Sequence, residues 1–122
     1  MNIQGIEGVT IAIIVRETTR ARPEDKEWPD LGDICDIAHT LEEAKFAVEL
    51  HTYTTALGYY SQVIEEVVGN YFRFGFATQS DLQGIRLTSY GKEFTDKIIA
   101  KAWLENPEEI HAIRMKVRSL VL

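Results

Sequence analysis

The sequence has little of what would place the protein outside the cell or in a membrane. Its 122 residues include one cysteine, Cys35, so no internal disulfide can form and we expect a cytoplasmic protein. The longest apolar run, residues 9–15, is far shorter than the ~20 residues that a membrane helix needs. The first residues lack the basic start and apolar core of a secretion signal.

The common catalytic motifs are also missing. The eight glycines are scattered, so none forms a phosphate-binding loop. There is no Gly-x-Ser-x-Gly elbow and no Cys-x-x-Cys pair. We therefore predict a protein that is not an enzyme and that needs no cofactor.

Two carboxylate–imidazole pairs contain the residue types that bind metal ions. Asp36 and His39, like Glu108 and His111, are three positions apart, the spacing that di-metal helical bundles use. The predicted strands do not suit such a bundle, so we predict no metal site and leave open whether the pairs converge. Cys35 next to a histidine could be a reactive thiolate, but we expect a small buried apolar residue.

Composition and charge are those of an ordinary globular protein. The hydrophobic fraction is 45% and the charged fraction 26%, and the length fits one domain, residues 1–122. Residues 1–66 carry 13 acidic and 5 basic residues, whereas residues 67–122 carry 6 and 8. The net charge of −6 disfavours a wide nucleic-acid surface, but a small basic face in the second half is still compatible with it.

Three segments are predicted to be strands of a small antiparallel sheet in an α+β fold. Residues 9–16 are rich in β-branched side chains. Residues 71–77 alternate, with Phe72, Phe74 and Phe76 on one face, which predicts a strand with these rings in the core. After a polar loop, residues 85–87 are predicted to pair with it.

Four or five helices are predicted around this sheet. Thr40 and Glu43 fit a capping box, so a helix is expected over 41–50, after a long charged surface loop at 17–33. A second helix, 56–68, is expected to end at Gly69-Asn70. Two more are predicted over 89–105, capped by Thr88, and over 107–121, which starts at Asn106-Pro107.

The segment Leu87-Thr-Ser-Tyr-Gly91, directly after a hairpin, resembles the Leu-Thr-x-x-Gly sequence that follows the wing of winged-helix regulators. The resemblance covers residues 33–104 and implies a winged-helix domain. The chain departs from that pattern in two ways. Residues 51–58 are longer than the usual turn, and the helix in the recognition position, 55–69, has two glutamates and no Lys or Arg.

The resemblance implies a DNA-binding transcriptional regulator. On that reading, Thr55, Tyr59 and Gln62 would contact base edges, because readers lie near the start of a recognition helix. Phosphates would be contacted by three basic residues of the wing region, Arg73, Arg86 and Lys92.

The alternative is an acidic interaction module, an adaptor or inhibitor, that keeps the winged-helix shape without binding DNA. It would use the acidic 24–49 surface and Trp28 on a basic protein partner. In either case we predict a homodimer through the last two helices, 89–121. The expected contacts are Trp103, Ile110, Ile113 and Val117.

Overall fold

The computed structural model describes residues 5–22 and 27–121. The described residues form five helices, namely α1 (Ile6–Ala21), α2 (Leu31–Glu43), α3 (Gln62–Arg73), α4 (Ser89–Glu105) and α5 (Pro107–Val121). Two antiparallel hairpins separate them, β1 (Tyr53–Thr55) with β2 (Gly58–Tyr60) and β3 (Ala77–Gln79) with β4 (Ile85–Leu87). The mixed helix and sheet class is confirmed, but the sheet is two separate pairs of strands.

The strand predicted at 9–16 is wrong, because these residues lie in the middle of α1. Every residue from Val9 to Val15 is buried, and α1 packs against α4, α5 and β4. A helix that is covered on all sides has no polar stripe and therefore no helical periodicity in its sequence. Its β-branched residues lower helix propensity by only tenths of a kcal/mol each, roughly, which packing readily overrides. The buried Thr10 hydroxyl donates to the Ile6 carbonyl at 2.7 Å.

The helix predicted over 41–50 is also wrong, because α2 starts ten residues earlier. Its capping box is formed by Asp30 and Asp33: each carboxylate accepts from the other residue's backbone N–H, at 2.9 and 3.0 Å. Thr40 lies inside the helix instead and donates to the Asp36 carbonyl at 3.0 Å.

The charged loop predicted at 17–33 is shorter than expected. Residues 17–21 complete α1, and residues 31–33 form the first turn of α2. Positions 23–26 of that prediction lie outside the described residues.

The helix predicted over 56–68 is replaced by a hairpin and a later helix. Gly58 has a φ of 123°, a conformation that favours glycine, and it lets the chain turn from β1 into β2. Ser61 then caps α3: its hydroxyl accepts from the Ile64 N–H at 3.2 Å and donates to the Leu50 carbonyl at 2.5 Å. The helix continues past the predicted stop at Gly69-Asn70 and ends at Arg73.

The strand predicted at 71–77 is likewise wrong, although β4 is confirmed at 85–87. The strand that pairs with β4 is 77–79, with Ala77 opposite Leu87. Phe72 is in α3 and half-buried, while Phe74 is 61% exposed, so the predicted inward row of rings does not exist. Phe76 is half-buried and stacks on Phe94 with ring centroids 4.0 Å apart.

The two C-terminal helices and the Thr88 cap are confirmed. The Thr88 hydroxyl accepts from the Gly91 N–H at 3.0 Å and donates to the Gly75 carbonyl at 2.7 Å. Gly91 is required here, because a Cβ on it would lie 1.7 Å from the Phe76 carbonyl oxygen. This contact closes the β3–β4 hairpin onto the start of α4.

The packing of α5 corrects the predicted dimer contacts. Ile110, Ile113 and Val117 are fully buried in the core of their own chain, where α5 packs against α1 and α4. Since no surface of these side chains is left for a partner, a dimer through them is wrong. Trp103 is 46% exposed. Among the described residues, no helix is both long and apolar enough to cross a membrane.

Candidate interaction surface

The β1–β2 hairpin and the first two turns of α3, residues 53–69, form a surface that we call the hairpin face. Leu57 at the tip of the hairpin is 100% exposed and Tyr53 is 53% exposed. The Tyr53 ring meets the edge of the Tyr60 ring with centroids 5.4 Å apart. An isolated hairpin this short is unstable in water, so contacts with the helices must hold it in place.

Two glutamates of α3 are held in position on this face. Glu65 and Glu66 are exposed in the first two turns of the helix. The Tyr60 hydroxyl donates to Glu65 Oε2 at 2.6 Å, and Gln62 Nε2 donates to Glu66 Oε1 at 3.2 Å. The bond to Glu65 raises the pKa of Tyr60 to about 12. The carboxylates are therefore partly ordered before any partner binds.

A polar cluster joins the hairpin to the C-terminal end of α2. The His39 ring stacks on Tyr59 with centroids 3.6 Å apart, and its Nδ1 lies 3.0 Å from the Thr52 hydroxyl. His39 Nε2 contacts Glu43. The Thr52 hydroxyl and N–H both donate to Glu42, at 2.5 and 3.0 Å. Contacts with α2, together with the packing of Tyr59 against the edge of the core, thus fix the hairpin's direction.

The three predicted base readers do not share one helix face. Thr55 is in β1, where its hydroxyl donates to the Gly58 carbonyl at 2.7 Å. Tyr59 is in β2 and is half-buried against His39. Gln62 is on α3, exposed, and already bonded to Glu66. The structure therefore places these residues on one surface but not in the arrangement of a groove-reading helix.

The three predicted phosphate contacts have different environments. Arg73 is exposed at the end of α3. Arg86 has a structural role, because its Nη1 donates to the Thr19 carbonyl at 3.2 Å and also to the Arg22 carbonyl. Those carbonyls belong to the C-terminal end of α1, which attracts cations. The guanidinium lies 5.8 Å from the centre of the Trp28 ring, which the structure leaves half-buried.

Lys92 and Trp28 border one open cavity of about 440 Å³ beside the β3–β4 hairpin. Arg86 and the hydroxyl-bearing residues Thr78, Thr88 and Ser89 line it as well. Trp28 thus contacts Arg86 of β4 within its own chain, and only part of its half-buried ring is left for the partner contact that the interaction hypothesis predicted.

Charge separates the hairpin side of the molecule from the rest. Residues 30–73, which run from the cap of α2 to the end of α3, contain eight acidic residues and two basic ones, a balance of −6. Residues 74–121 contain six acidic and seven basic residues, a balance of +1. The loop between β3 and β4 carries Asp81 and the 79%-exposed Leu82 rather than a cation.

The remaining candidate ligands are accounted for within the described part of the chain. Cys35 is fully buried, as predicted, and burial raises the pKa of its thiol, which disfavours the thiolate form. His39 is engaged with Thr52, Glu43 and Tyr59. Across residues 5–22 and 27–121, no three His, Cys, Asp or Glu side chains are grouped to hold a metal ion.

Sequence reasoning missed Leu57 and a group of arginines on α1 and α5. Leu57 falls inside the predicted helix 56–68, and only the glycine that follows it, Gly58, indicates a turn at this point. Arg16 and Arg20 share a face only if residues 16–20 are helical, so the predicted strand at 9–16 and the predicted loop at 17–33 together hid this pair.

Searches against models of known protein families, curated proteins and solved structures give no match for this chain. Any functional assignment therefore depends on the geometry and charge described above.

Proposed function

We propose that the protein is a non-enzymatic interaction module of winged-helix type that uses its hairpin face to bind a basic protein partner. The observation that carries this proposal is the exposed face of α3, where Glu65 and Glu66 are ordered by hydrogen bonds from Tyr60 and Gln62.

The winged-helix part of the proposal is supported by element order. Helices α2 and α3 are followed by the β3–β4 hairpin and then by α4. The hairpin would be the wing, and Thr88 and Gly91 explain physically why Leu-Thr-x-x-Gly follows it: Thr88 caps the helix and Gly91 admits the Phe76 carbonyl. The β1–β2 hairpin between α2 and α3 is an addition to the plain motif.

The charge distribution favours a basic partner over DNA. A helix placed in a major groove has phosphates on both sides, and its carboxylates are repelled there unless cations compensate. Here α3 presents two glutamates, the wing tip presents Asp81, and Arg86 is already bonded to carbonyls of α1. Complementary charge instead accelerates binding to a cationic surface and selects against anionic partners.

The apolar part of the hairpin face defines the partner further. Leu57 is fully exposed and Tyr53 half-exposed, which makes them the side chains that a partner pocket would bury. We therefore expect a partner segment with Lys or Arg residues around an apolar depression.

A DNA-binding regulator is the second candidate, and two side chains favour it. Arg73 and Lys92 flank the wing, and neither side chain has a hydrogen bond or ion pair within the described residues. Both could contact phosphates. Arg86 should be left out of any test of this candidate, since its replacement would damage the wing itself.

Fluorescence anisotropy with two labelled probes separates the candidates. A peptide rich in Lys, Arg and Leu and a random DNA duplex are titrated at about 50 mM salt, where non-specific attraction to DNA is strongest. We expect the peptide to bind and the duplex not to bind at tens of micromolar protein.

Charge-matched variants test whether the hairpin face is responsible. Glu65→Gln with Glu66→Gln should weaken peptide binding by about three- to tenfold, since each exposed charge pair contributes ~0.2–1 kcal/mol. Glu105→Gln with Glu108→Gln changes the net charge equally at exposed positions elsewhere and should have little effect. Equal losses of peptide affinity in the two double variants would contradict specific binding at the hairpin face. A duplex shift that Arg73→Ala with Lys92→Ala abolishes would establish the regulator instead.

A further inference from the structure

A cavity of about 520 Å³ lies between α1, α4 and α5, among elements that the hairpin face does not include. Three arginines line it, Arg16 and Arg20 from α1 and Arg114 from α5. The rest of its lining is mostly apolar and includes the 46%-exposed Trp103 and the 77%-exposed Leu104. Its volume is in the range of small-molecule sites, which are commonly apolar with a few fixed charged groups.

A buried carboxylate organises the arginines. Glu17 is only 2% exposed, and its Oε1 accepts from Arg118 Nε at 3.0 Å. Arg114 Nη2 lies 3.8 Å from the same oxygen, and Arg20 Nε lies 3.6 Å from Oε2. A buried carboxylate needs such partners, because leaving it unpaired costs several kcal/mol, roughly. Glu17 thereby fixes three guanidiniums near one another.

Among the described residues, the ion pairs of this group leave it with an excess of positive charge. Arg16 pairs with Asp96 at 2.9 Å, so the group contains four arginines and two carboxylates, Glu17 and Asp96. The balance is +2 in a protein whose net charge is −6. Four clustered guanidiniums repel one another, and an additional anion would relieve that repulsion.

Arg114 also has an unused donor. Its Nε is buried and has no hydrogen-bond partner within the described residues. Buried donors are almost always paired, so the hydrogen bonds of this guanidinium are incomplete within the described part of the chain.

We propose that this cavity binds a small organic anion, one with a carboxylate, phosphate or sulfonate group attached to an apolar or aromatic body. The arginines would contact the anionic group, since guanidinium matches the planar fork of such acceptors. Trp103 and Leu104 would cover the apolar body. The site is separate from the hairpin face, so the two proposals can fail independently.

A pair of fluorescent probes tests the charge requirement directly. 1-Anilinonaphthalene-8-sulfonate has the proposed chemistry, and N-phenyl-1-naphthylamine has the same rings without the sulfonate. The sulfonate probe should bind at micromolar concentration and more tightly than the neutral probe. Millimolar inorganic phosphate should weaken its binding. In Trp28→Phe, Trp103 is the remaining tryptophan, and its emission should fall as energy transfers to the bound probe.

Single charge removals locate the site. Arg114→Gln should weaken the sulfonate probe about tenfold, the loss expected for one charge-assisted hydrogen bond, and leave the neutral probe unchanged. Arg20→Gln should also weaken binding of the sulfonate probe, but by less. Because the Arg20 side chain is 51% exposed, this variant should fold even if Arg114→Gln does not. Arg73→Gln, on α3, is the matched control and should change neither probe.

Three outcomes would overturn the proposal. One is equal affinity for the two probes. Another is a loss of affinity for the sulfonate probe in Arg73→Gln that is as large as the loss in Arg20→Gln. The third is a homodimer, shown by light scattering at 28 kDa, roughly twice the 13.9 kDa chain, with Trp103 covered and no probe bound. That result would assign the cavity to a second copy of the chain.

Discussion

The two hairpins of this protein have strands of equal length, three residues each, but they differ in how far they are buried. All three residues of β1 are exposed, and Leu57 in its turn has no cover at all. In the β3–β4 hairpin, Ala77, Ile85 and Leu87 are buried. The β1–β2 hairpin is therefore largely exposed and is held mainly by β2, whereas the β3–β4 hairpin is part of the core.

Backbone contacts explain the difference. The Leu87 N–H donates to the Thr19 hydroxyl at 3.1 Å, and the Ile85 N–H donates to the Pro29 carbonyl at 2.7 Å. Both bonds join β4 to segments far away in sequence, whereas the β1–β2 hairpin contacts mainly α2. We infer that the β3–β4 hairpin has a structural role and that the exposed hairpin is available for binding.

The largest effect is expected from closing the space at the base of the β3–β4 hairpin. Gly91→Ala places a Cβ 1.7 Å from the Phe76 carbonyl oxygen, which backbone atoms cannot avoid without moving. We expect a loss of at least about 4 kcal/mol in the free energy of unfolding, or no folding, measured by urea denaturation. Gly69→Ala is the control: its Cβ meets nothing within 4 Å, so it should stabilise α3 by about 0.5–1 kcal/mol. Similar effects of both changes would contradict the described packing.

Replacing one leucine in each hairpin compares their contributions to stability directly. Leu87→Ala removes a 2%-exposed side chain and should lower the free energy of unfolding by about 2–4 kcal/mol. Leu57→Ala removes a fully exposed one and should change it by less than about 0.5 kcal/mol. Urea denaturation of both variants measures the difference. A marked loss in the free energy of unfolding of Leu57→Ala would mean that the tip of the β1–β2 hairpin packs against the rest of the protein.

Arg86 should contribute less than Leu87 to the free energy of unfolding, although it also holds the β3–β4 hairpin in place. Arg86→Met keeps the length of the side chain but removes donation to the carbonyls of Thr19 and Arg22 and the contact with Trp28. We expect a loss of about 1–3 kcal/mol in the free energy of unfolding, with a change in tryptophan emission. Arg73→Met, at an exposed helix end, should be close to neutral. If the two variants behave alike, Arg86 is an ordinary surface residue.

The smallest expected effect is a change in the pKa of Tyr60, with little change in the free energy of unfolding. Tyr60 ionises at a pKa of about 12 because it donates to Glu65, so its hydrogen bond is present below the ordinary value of 10.0 and is lost as pH rises through about 12. Glu65→Gln should lower this pKa toward 10. Ultraviolet titration of the phenolate, with Tyr60→Phe subtracted to isolate Tyr60, measures it. An unchanged midpoint in Glu65→Gln would show that the bond is absent in solution.

The sequence was most informative where one local signal decides the structure. Thr88 caps α4, and Pro107 begins α5, so both helices could be predicted with their boundaries. Neither depends on a distant segment for its first turn.

Prediction failed where distant contacts decide. Residues 9–15 are buried from every side, so their helix shows no periodicity, and β-branched residues then favour a strand prediction. The alternating rings at 72, 74 and 76 are the end of a helix followed by a turn, in which Gly75 has a φ of 77°. Thr40 matches a capping box by composition, but the chain upstream of it is already helical.

The candidate surface was likewise predictable only where the sequence signal is local. Glu65 and Glu66 were visible in the sequence as an obstacle to DNA binding, and they lie on the exposed face of α3. The hairpin that extends this face was not predictable from a three-residue strand and a single glycine. The arginine cavity joins α1 and α5, which are more than 80 residues apart, and no spacing rule connects them.

The most direct test of the account is an NMR titration of the labelled protein with the basic peptide and with the random duplex. We predict peptide-induced shifts of backbone amides in residues 53–69, with those of 77–87 unchanged, and no comparable shifts with the duplex. Shifts produced by the duplex around Arg73, Asp81 and Lys92, with residues 53–60 unaffected, would contradict the account and assign binding to the surface around the β3–β4 hairpin.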